Sequence, residues 1–390
     1  MPEEPAFERP LPGAPDPWVA SSMPERLSAP PYLMARMIAA EPGVAVRVAA
    51  RVRSGSAGRA LADVIAAVVD RGEPISTTGC GTSEHAALAA AALLAAAMPP
   101  DRAHLARCWQ ALDLVRAPQR AGLLIGVSHE GGTAATNQAI QAARSAGART
   151  AIITVSARSP GGIAAETVIE TGEQDQSWCH TVGYLSPIVA AAGIAALVRD
   201  RQLDEAALGA LVSIAGEQES LVREVAGRLA TCDRLVVVGA GIDLVSAREL
   251  GLKIEEGSGL PASAVHLETL LHGHLAAADP STGLVVILTD AEPAGEVVRA
   301  RARDVLRSAR ALDMPAAAIV GARVGAQLPA ELAPVGRLTA PEANALPPLV
   351  EALIGAAIPL QLLALHLAMA RGRNPDAIGR DDPRQAAAAG

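Results

Sequence analysis

The sequence predicts an α/β protein of two tandem domains, each a parallel sheet flanked by helices on both faces. Three observations carry this. Short apolar runs alternate with helical stretches along most of the chain, which is the strand–loop–helix pattern of a parallel sheet. A strand, a Gly-x-Gly turn and a helix occur at Gly79 and again at Gly239. The length, 390 residues, exceeds one ordinary domain and fits two of about 150 residues each, with tails.

Residues 1–17 hold six prolines and little apolar periodicity, so residues 1–22 are expected to form a flexible arm. Residues 32–40 and 44–52 have helical spacing, and Glu41-Pro42-Gly43 between them reads as a break. Residues 61–69 form a further amphipathic helix. Strands are then expected at 74–78, 123–127, 150–155 and 167–170, with helices at 84–97, 134–146 and 184–198. The first domain spans 23–205 on this reading. The second, 206–372, repeats the plan: helix 217–230, strand 234–238, a helix through Lys253, strand 284–289, helix 295–312, strand 316–320 and a last long helix 349–370. A C-terminal tail, 373–390, follows.

Composition excludes several function classes. Half the residues are apolar and 19% are charged, enough for a sizeable core. Six aromatic residues leave little surface for stacking on nucleobases, and a net charge of −8 argues against nucleic acid or an anionic membrane as partner. Cys80, Cys108, Cys179 and Cys232 lie at no metal-ligand spacing and are too sparse for a disulfide framework, so a reducing cytoplasm is the expected compartment. The first residues lack the basic region of a signal peptide. The uncharged stretches 86–98 and 353–370 read as buried helices: the first is too short for a membrane span, and the second is interrupted by Pro359 and carries Gln361 and His366.

Ligands of open parallel sheets bind beyond the carboxyl ends of the strands. In the first domain those positions hold Gly79-Cys80-Gly81-Thr82-Ser83 and Ser128-His129-Glu130-Gly131-Gly132-Thr133. Both loops open a helix and are rich in glycine and hydroxyl groups, the materials of an anion cradle. Neither completes a P-loop or a dinucleotide fingerprint. A turn glycine with a capping serine accounts for each loop equally well when it is taken singly. In the second domain Glu255-Glu256 sits at a helix C-terminus, where the dipole disfavours a carboxylate. A solvated helix end is the plain alternative. Glu268 and His272 share one face if helical, an arrangement by which a carboxylate fixes an imidazole for proton transfer. No second cluster completes a metal-ligand set. His85, His104 and His366 fall within helical patterns and read as structural.

Taken together, these residues resemble the tandem sugar isomerase (SIS) domain proteins, above all the isomerase portion of glucosamine-6-phosphate synthase and its stand-alone isomerase, deaminase and deglycase relatives. Met23-Pro24-Glu25-Arg26-Leu27-Ser28-Ala29-Pro30 looks like that family's opening segment. Cys80-Gly81-Thr82-Ser83 matches its first sugar-phosphate loop, Ser128 to Thr133 its second, and Cys179-His180-Thr181 a loop that closes on the sugar. Gly251-Leu252-Lys253-Ile254-Glu255-Glu256 resembles the segment ending in the catalytic glutamate, and His272-Gly273, sixteen residues on, matches the ring-opening histidine.

The resemblance implies aldose–ketose isomerisation, or amino-sugar deamination or deglycation, with Glu256 shuttling a proton between C1 and C2 and His272 opening the ring. It implies a substrate site built from Cys80, Gly81, Thr82, Ser83, Ser128, His129, Glu130, Thr133, Cys179 and His180. It also implies no cofactor, a homodimer with a shared site and a tail that approaches that site. The rival is a regulatory SIS protein that senses sugar without turnover. Two departures stand out. Glu130 replaces a serine of the phosphate loop, and a charge there repels phosphate: either the side chain turns away, or the ligand is not a conventional 6-phosphosugar, or it carries an amine or hydroxyl that Glu130 accepts. A lysine of the synthase tail is missing near Ala388.

Overall fold

The structure, a computed structural model, describes residues 9–388. It resolves into two compact units. The first comprises residues 9–22, Ala40–Asp175 and Val182–Gly209. The second comprises Met23–Ala39, Gln176–Thr181 and the chain from Ala210 onward. Residues 23–39, expected with the first domain, therefore belong to the second unit, and the division after Gly209 lies close to the expected boundary at 205.

The first unit runs through α1 (Leu33–Ser54), α2 (Ser56–Asp70), β1 (Ile75–Thr78), α3 (Thr82–Ala97), β2 (Ala106–Cys108), α4 (Ala111–Arg116), β3 (Leu123–Val127), α5 (Ala134–Ala146), β4 (Arg149–Thr154), α6 (Pro160–Ala164), β5 (Thr167–Glu170) and α7 (Val182–Val198). Its sheet has the order β2-β1-β3-β4-β5, all parallel. Every residue of β1 and β3 is buried, as a strand covered by helices on both faces must be. Leu124 and Ile152 pack against Ile140 and Ala143 of α5 on one face.

The second unit continues with α8 (Glu205–Gly216), α9 (Glu219–Leu229), β6 (Arg234–Gly239), α10 (Asp243–Ser258), β7 (Ala262–His266), α11 (Leu267–Leu271), β8 (Thr282–Leu288), α12 (Glu296–Ala311), β9 (Ala316–Gly321), α13 (Ala322–Gly325), β10 (Gly336–Ala340), α14 (Pro348–Ala370) and α15 (Pro383–Ala388). Its order, β10-β9-β8-β6-β7, is again parallel and topologically identical to the first. In each sheet the winding reverses beside the first strand, between β1 and β3 and between β6 and β8. The repeat extends to atomic detail. A Cβ on Gly79 would lie 2.4 Å from the Ser83 carbonyl, and one on Gly239 would lie 2.5 Å from the Asp243 carbonyl, so both strand-to-helix turns need glycine.

Some elements differ from the sequence expectation. Pro42 lies inside α1 rather than breaking it. A proline in a helix interior costs about 3 kcal/mol, and burial of Val44, Ala45, Val48 and Ala49 outweighs it. The three strands that the apolar pattern does not announce, β2, β7 and β10, lie at sheet edges, where exposed Arg107 and Ser263 and half-buried Arg337 interrupt any apolar run. One helix, Pro348–Ala370, is long and apolar enough to cross a membrane. It is instead buried within the second unit against α9 and α10, which agrees with the reading of a core helix.

Residues 9–22, expected as part of a loose arm, have specific partners in the first unit (residues 1–8 lie outside the described chain). Leu11 N–H donates to the Glu173 carboxylate at 2.9 Å, and Gln174 N–H donates to the Pro12 carbonyl at 2.8 Å.

Candidate active site

The two glycine–hydroxyl loops lie where the first sheet reverses its winding, at the carboxyl ends of β1 and β3, the position at which open α/β sheets hold ligands. The Cys80 thiol and the Thr136 hydroxyl, 3.7 Å apart, tie one loop to the helix that follows the other. The Ser128 hydroxyl donates to the Thr133 hydroxyl at 3.2 Å. Neither Gly81 nor Thr133, the residues that precede α3 and α5, caps its helix through a side chain. Two helix N-termini without side-chain caps thus face one mouth, with the dipole of each favouring a negative group. Thr82 is buried, Ser83 half-buried, and Gly81 and Thr133 exposed. Gly131 adopts φ +75°, and a Cβ there would lie 2.0 Å from the Ser159 hydroxyl, so the loop is held against its neighbour and admits no side chain.

Two of the expected ligand residues have hydrogen-bond partners within the first unit. The His129 ring is turned into the first unit, where its Nε2 accepts the Asp175 N–H at 2.9 Å. The Glu130 carboxylate is engaged by Ser21, whose N–H donates to Oε2 at 3.2 Å and whose hydroxyl donates to Oε1 at 2.5 Å.

The proton-transfer candidates belong to the second unit. α10 extends beyond the expected Lys253 to Ser258, which puts Glu256 in its last turn. Lys253, 0% exposed, donates to the Glu256 carboxylate at 2.5 Å and lies 3.6 Å from the carboxylate of Glu249, itself fully buried. Burial by itself would lower the lysine pKa, but the charges of Glu256 and Glu249 outweigh it and hold the ammonium above its ordinary value. The spacing Glu249-Lys253-Glu256, at i, i+4 and i+7, is a legible signal in the sequence, yet the motif from Gly251 to Glu256 leaves Glu249 out.

Cys179 is fully buried close to Gly257 and beside Lys253, so it walls this network, and His180, next in the chain, is half-buried. The tail reaches the same place. Pro375 packs against Gly257, Trp178 N–H donates to the Asp376 carbonyl, and the Asp376 carboxylate accepts the N–H groups of Leu33 and Met34, capping α1 from across the sequence.

His272 follows α11 and is exposed. Its Nε2 lies 2.8 Å from Glu268 Oε1, as the four-residue spacing implied. Arg301 grips the same carboxylate at 2.6 and 2.7 Å. Hydrogen bonds from Arg301 first, then from His272, hold Glu268 down at about 2. The imidazole is thus oriented by a carboxylate that stays charged.

The equivalent mouth of the second sheet is chemically different. A cavity of about 310 Å³ lies between the ends of β6, β8, β9 and β10, lined by Asp290, Glu292, Glu342 and Glu351. Its one guanidinium, Arg323, is already paired with Glu342 and Glu351. Asp243 stands four residues after Gly239, as Ser83 stands four after Gly79. Burial pushes it up to about 6, although it accepts hydrogen bonds from the N–H and hydroxyl of Thr289. The carboxylates that line this mouth disfavour an anion there. Among the described residues, no three His, Cys, Asp or Glu side chains are grouped to hold a metal ion.

Over 327 residues the chain is 29% identical to the glutamine–fructose-6-phosphate aminotransferase [isomerizing] of Symbiobacterium thermophilum, a match covering 77% of this chain. The chain spans half the length of that relative. The solved C-terminal domain of glucosamine-fructose-6-phosphate aminotransferase from Francisella tularensis superposes with a TM-score of 0.76 at 18% identity, over 90% of this chain and 99% of that one. The fold is that of the tandem sugar isomerase proteins. Tagatose-6-phosphate ketose/aldose isomerase from Escherichia coli shares it, with a TM-score of 0.69 at 19% identity over 91% of this chain and 97% of that one. No protein-family model matches the chain.

Proposed function

We propose that the protein acts on a phosphorylated sugar, moving a proton between C1 and C2 through an enediol. This interconverts aldose and ketose or, on an amino-sugar or sugar–amine adduct, releases the amine. The observation that carries the reading is the double cradle at the winding reversal of the first sheet: two helix N-termini without side-chain caps, joined through Cys80 and Thr136, with Ser83, Ser128 and Thr133 supplying hydroxyls. The isomerase and aminotransferase names of the related proteins support the substrate class.

In this reading the cradle holds the phosphate and fixes the sugar's register. His272, oriented by Glu268, passes a proton between the anomeric hydroxyl and the ring oxygen, and the ring opens. Glu256, positioned by Lys253, takes the proton from one carbon as the adjacent carbonyl oxygen gains one. It then returns the proton to the other carbon as the hydroxyl on the first carbon gives up its own proton and becomes the new carbonyl. No redox change occurs and no cofactor is required. His272 reaches the sugar from a second copy of the chain in a cytoplasmic homodimer.

The test is exchange in deuterated water. A panel of 6-phosphosugars and 6-phospho-amino-sugars should show deuterium entering at C2 with wild-type protein, and Glu256→Gln should bind the same sugar without exchange. Binding with no exchange in either form would refute catalysis and favour a sugar sensor.

A further inference from the structure

The cradle loop of this chain carries an acid at its centre, yet the rest of the loop is built to receive an anion. Residues 18–21 resolve the conflict. Ser21 places one donor on each oxygen of the Glu130 carboxylate. Trp18 donates its indole N–H to the Glu130 carbonyl at 3.1 Å, and its ring lies over Gly132, where an added Cβ would come within 3.2 Å of it. On its other side the loop is fixed by Gly131, whose carbonyl accepts from Asn137 Nδ2 at 3.0 Å and from Gly161 N–H at 2.8 Å.

The segment does not stand alone. Pro12 and Ala14 are bound by Gln174, just after β5, and by Arg158, just after β4. It therefore crosses the loops after β5, β4 and β3 in turn, along the edge of the sheet where ligand enters.

We propose that Trp18 and Ser21 are positioning residues of the ligand mouth: they hold the Glu130 carboxylate out of the anion cradle and so keep it open to a phosphate-bearing sugar. The proposal rests on the functional reading above and gives that site its selectivity device. A free glutamate could swing back among the hydroxyls and helix ends that otherwise meet the phosphate, because those groups attract any carboxylate. Held at both oxygens, it stays outside. Specificity is then set by a contact between residues more than a hundred positions apart.

The experiment is calorimetric titration of the full chain with inorganic phosphate and with fructose 6-phosphate. Variants are Ser21→Ala, Trp18→Ala, Glu130→Gln and the double Ser21→Ala/Glu130→Gln. Ser21→Ala and Trp18→Ala should weaken both probes by about tenfold or more, as expected when a like charge enters the site. The double variant should bind as wild type does, since a neutral amide no longer repels the phosphate; damage to the loop itself would not be repaired this way. Unchanged affinity in Ser21→Ala, or a double variant as weak as the single one, overturns the inference while leaving the functional reading intact. Wild-type protein that binds neither probe overturns both.

Discussion

Replacing Lys253 by methionine tests whether the buried charge network holds the second unit together. The ammonium sits 2.5 Å from Glu256 and 3.6 Å from Glu249, and both Lys253 and Glu249 have no exposed surface. At an effective dielectric near 20 these contacts amount to Coulomb attractions of about 7 and about 5 kcal/mol, against a desolvation cost of several kcal/mol per ion. The net worth of the triad is therefore small. Its removal by halves is not, because methionine leaves Glu249 charged with no route to water. We expect Lys253→Met to lose roughly 3–5 kcal/mol of unfolding free energy in urea at pH 7.5. Lys253→Met/Glu249→Gln should recover most of it at pH 7.5. A single variant within about 1 kcal/mol of wild type, or a double variant no better than the single, would refute the argument that taking the cation away from a buried carboxylate is the dominant cost.

Two further expectations concern the sheet mouths. Gly131→Ala should cost about 2–4 kcal/mol and abolish phosphate binding, because it combines a positive φ with a Cβ 2.0 Å from the Ser159 hydroxyl. Gly227→Ala, whose Cβ meets nothing within 4 Å on exposed α9, should instead gain about 0.5–1 kcal/mol in the same melt, and equal effects at the two positions would contradict this account. Asp243 has its pKa raised from 3.8 to about 6, so the folded state holds its proton more tightly than the unfolded state does. Its contribution is full below pH 4 and is lost as pH rises through about 6, on the order of 3 kcal/mol in all. Asp243→Asn should therefore gain on wild type between pH 4.5 and 7.5 in urea titrations. A pH-independent difference between the two would show that Asp243 does not titrate in this window.

Much of the first sheet was legible because its central strands are buried on both faces. Residues 123–127 and 150–155 carry no charge and are mostly aliphatic, with Thr150 and Thr154 the only hydroxyl residues among them, the pattern of a short strand covered on both faces. The edge strands β2, β7 and β10 were not, since exposure lets them carry arginine and serine without penalty. The helix through Pro42 escaped for the opposite reason: local propensity argues for a break, and only burial at a distance overrides it. In the candidate site, glycine and hydroxyl spacing marked two loops that the structure has at the carboxyl ends of β1 and β3, and the four-residue interval from Glu268 to His272 implied the contact that the structure contains. The inward turn of the His129 ring was invisible, because its partner, the Asp175 N–H, is 46 residues away.

By itself the sequence determined the architecture: two copies of one winding, each with glycine at the turn where a side chain would strike the next helix, and an acidic overall balance. These follow from short-range sterics and from composition, which a linear chain displays directly. Tertiary structure alone decided which way the ambiguous acids face. Glu130 is bound by Ser21, and Glu256 by a fully buried lysine that also faces Glu249 and Cys179. Such placements depend on which donors folding brings within about 3 Å, a distance at which one hydrogen bond redirects a carboxylate.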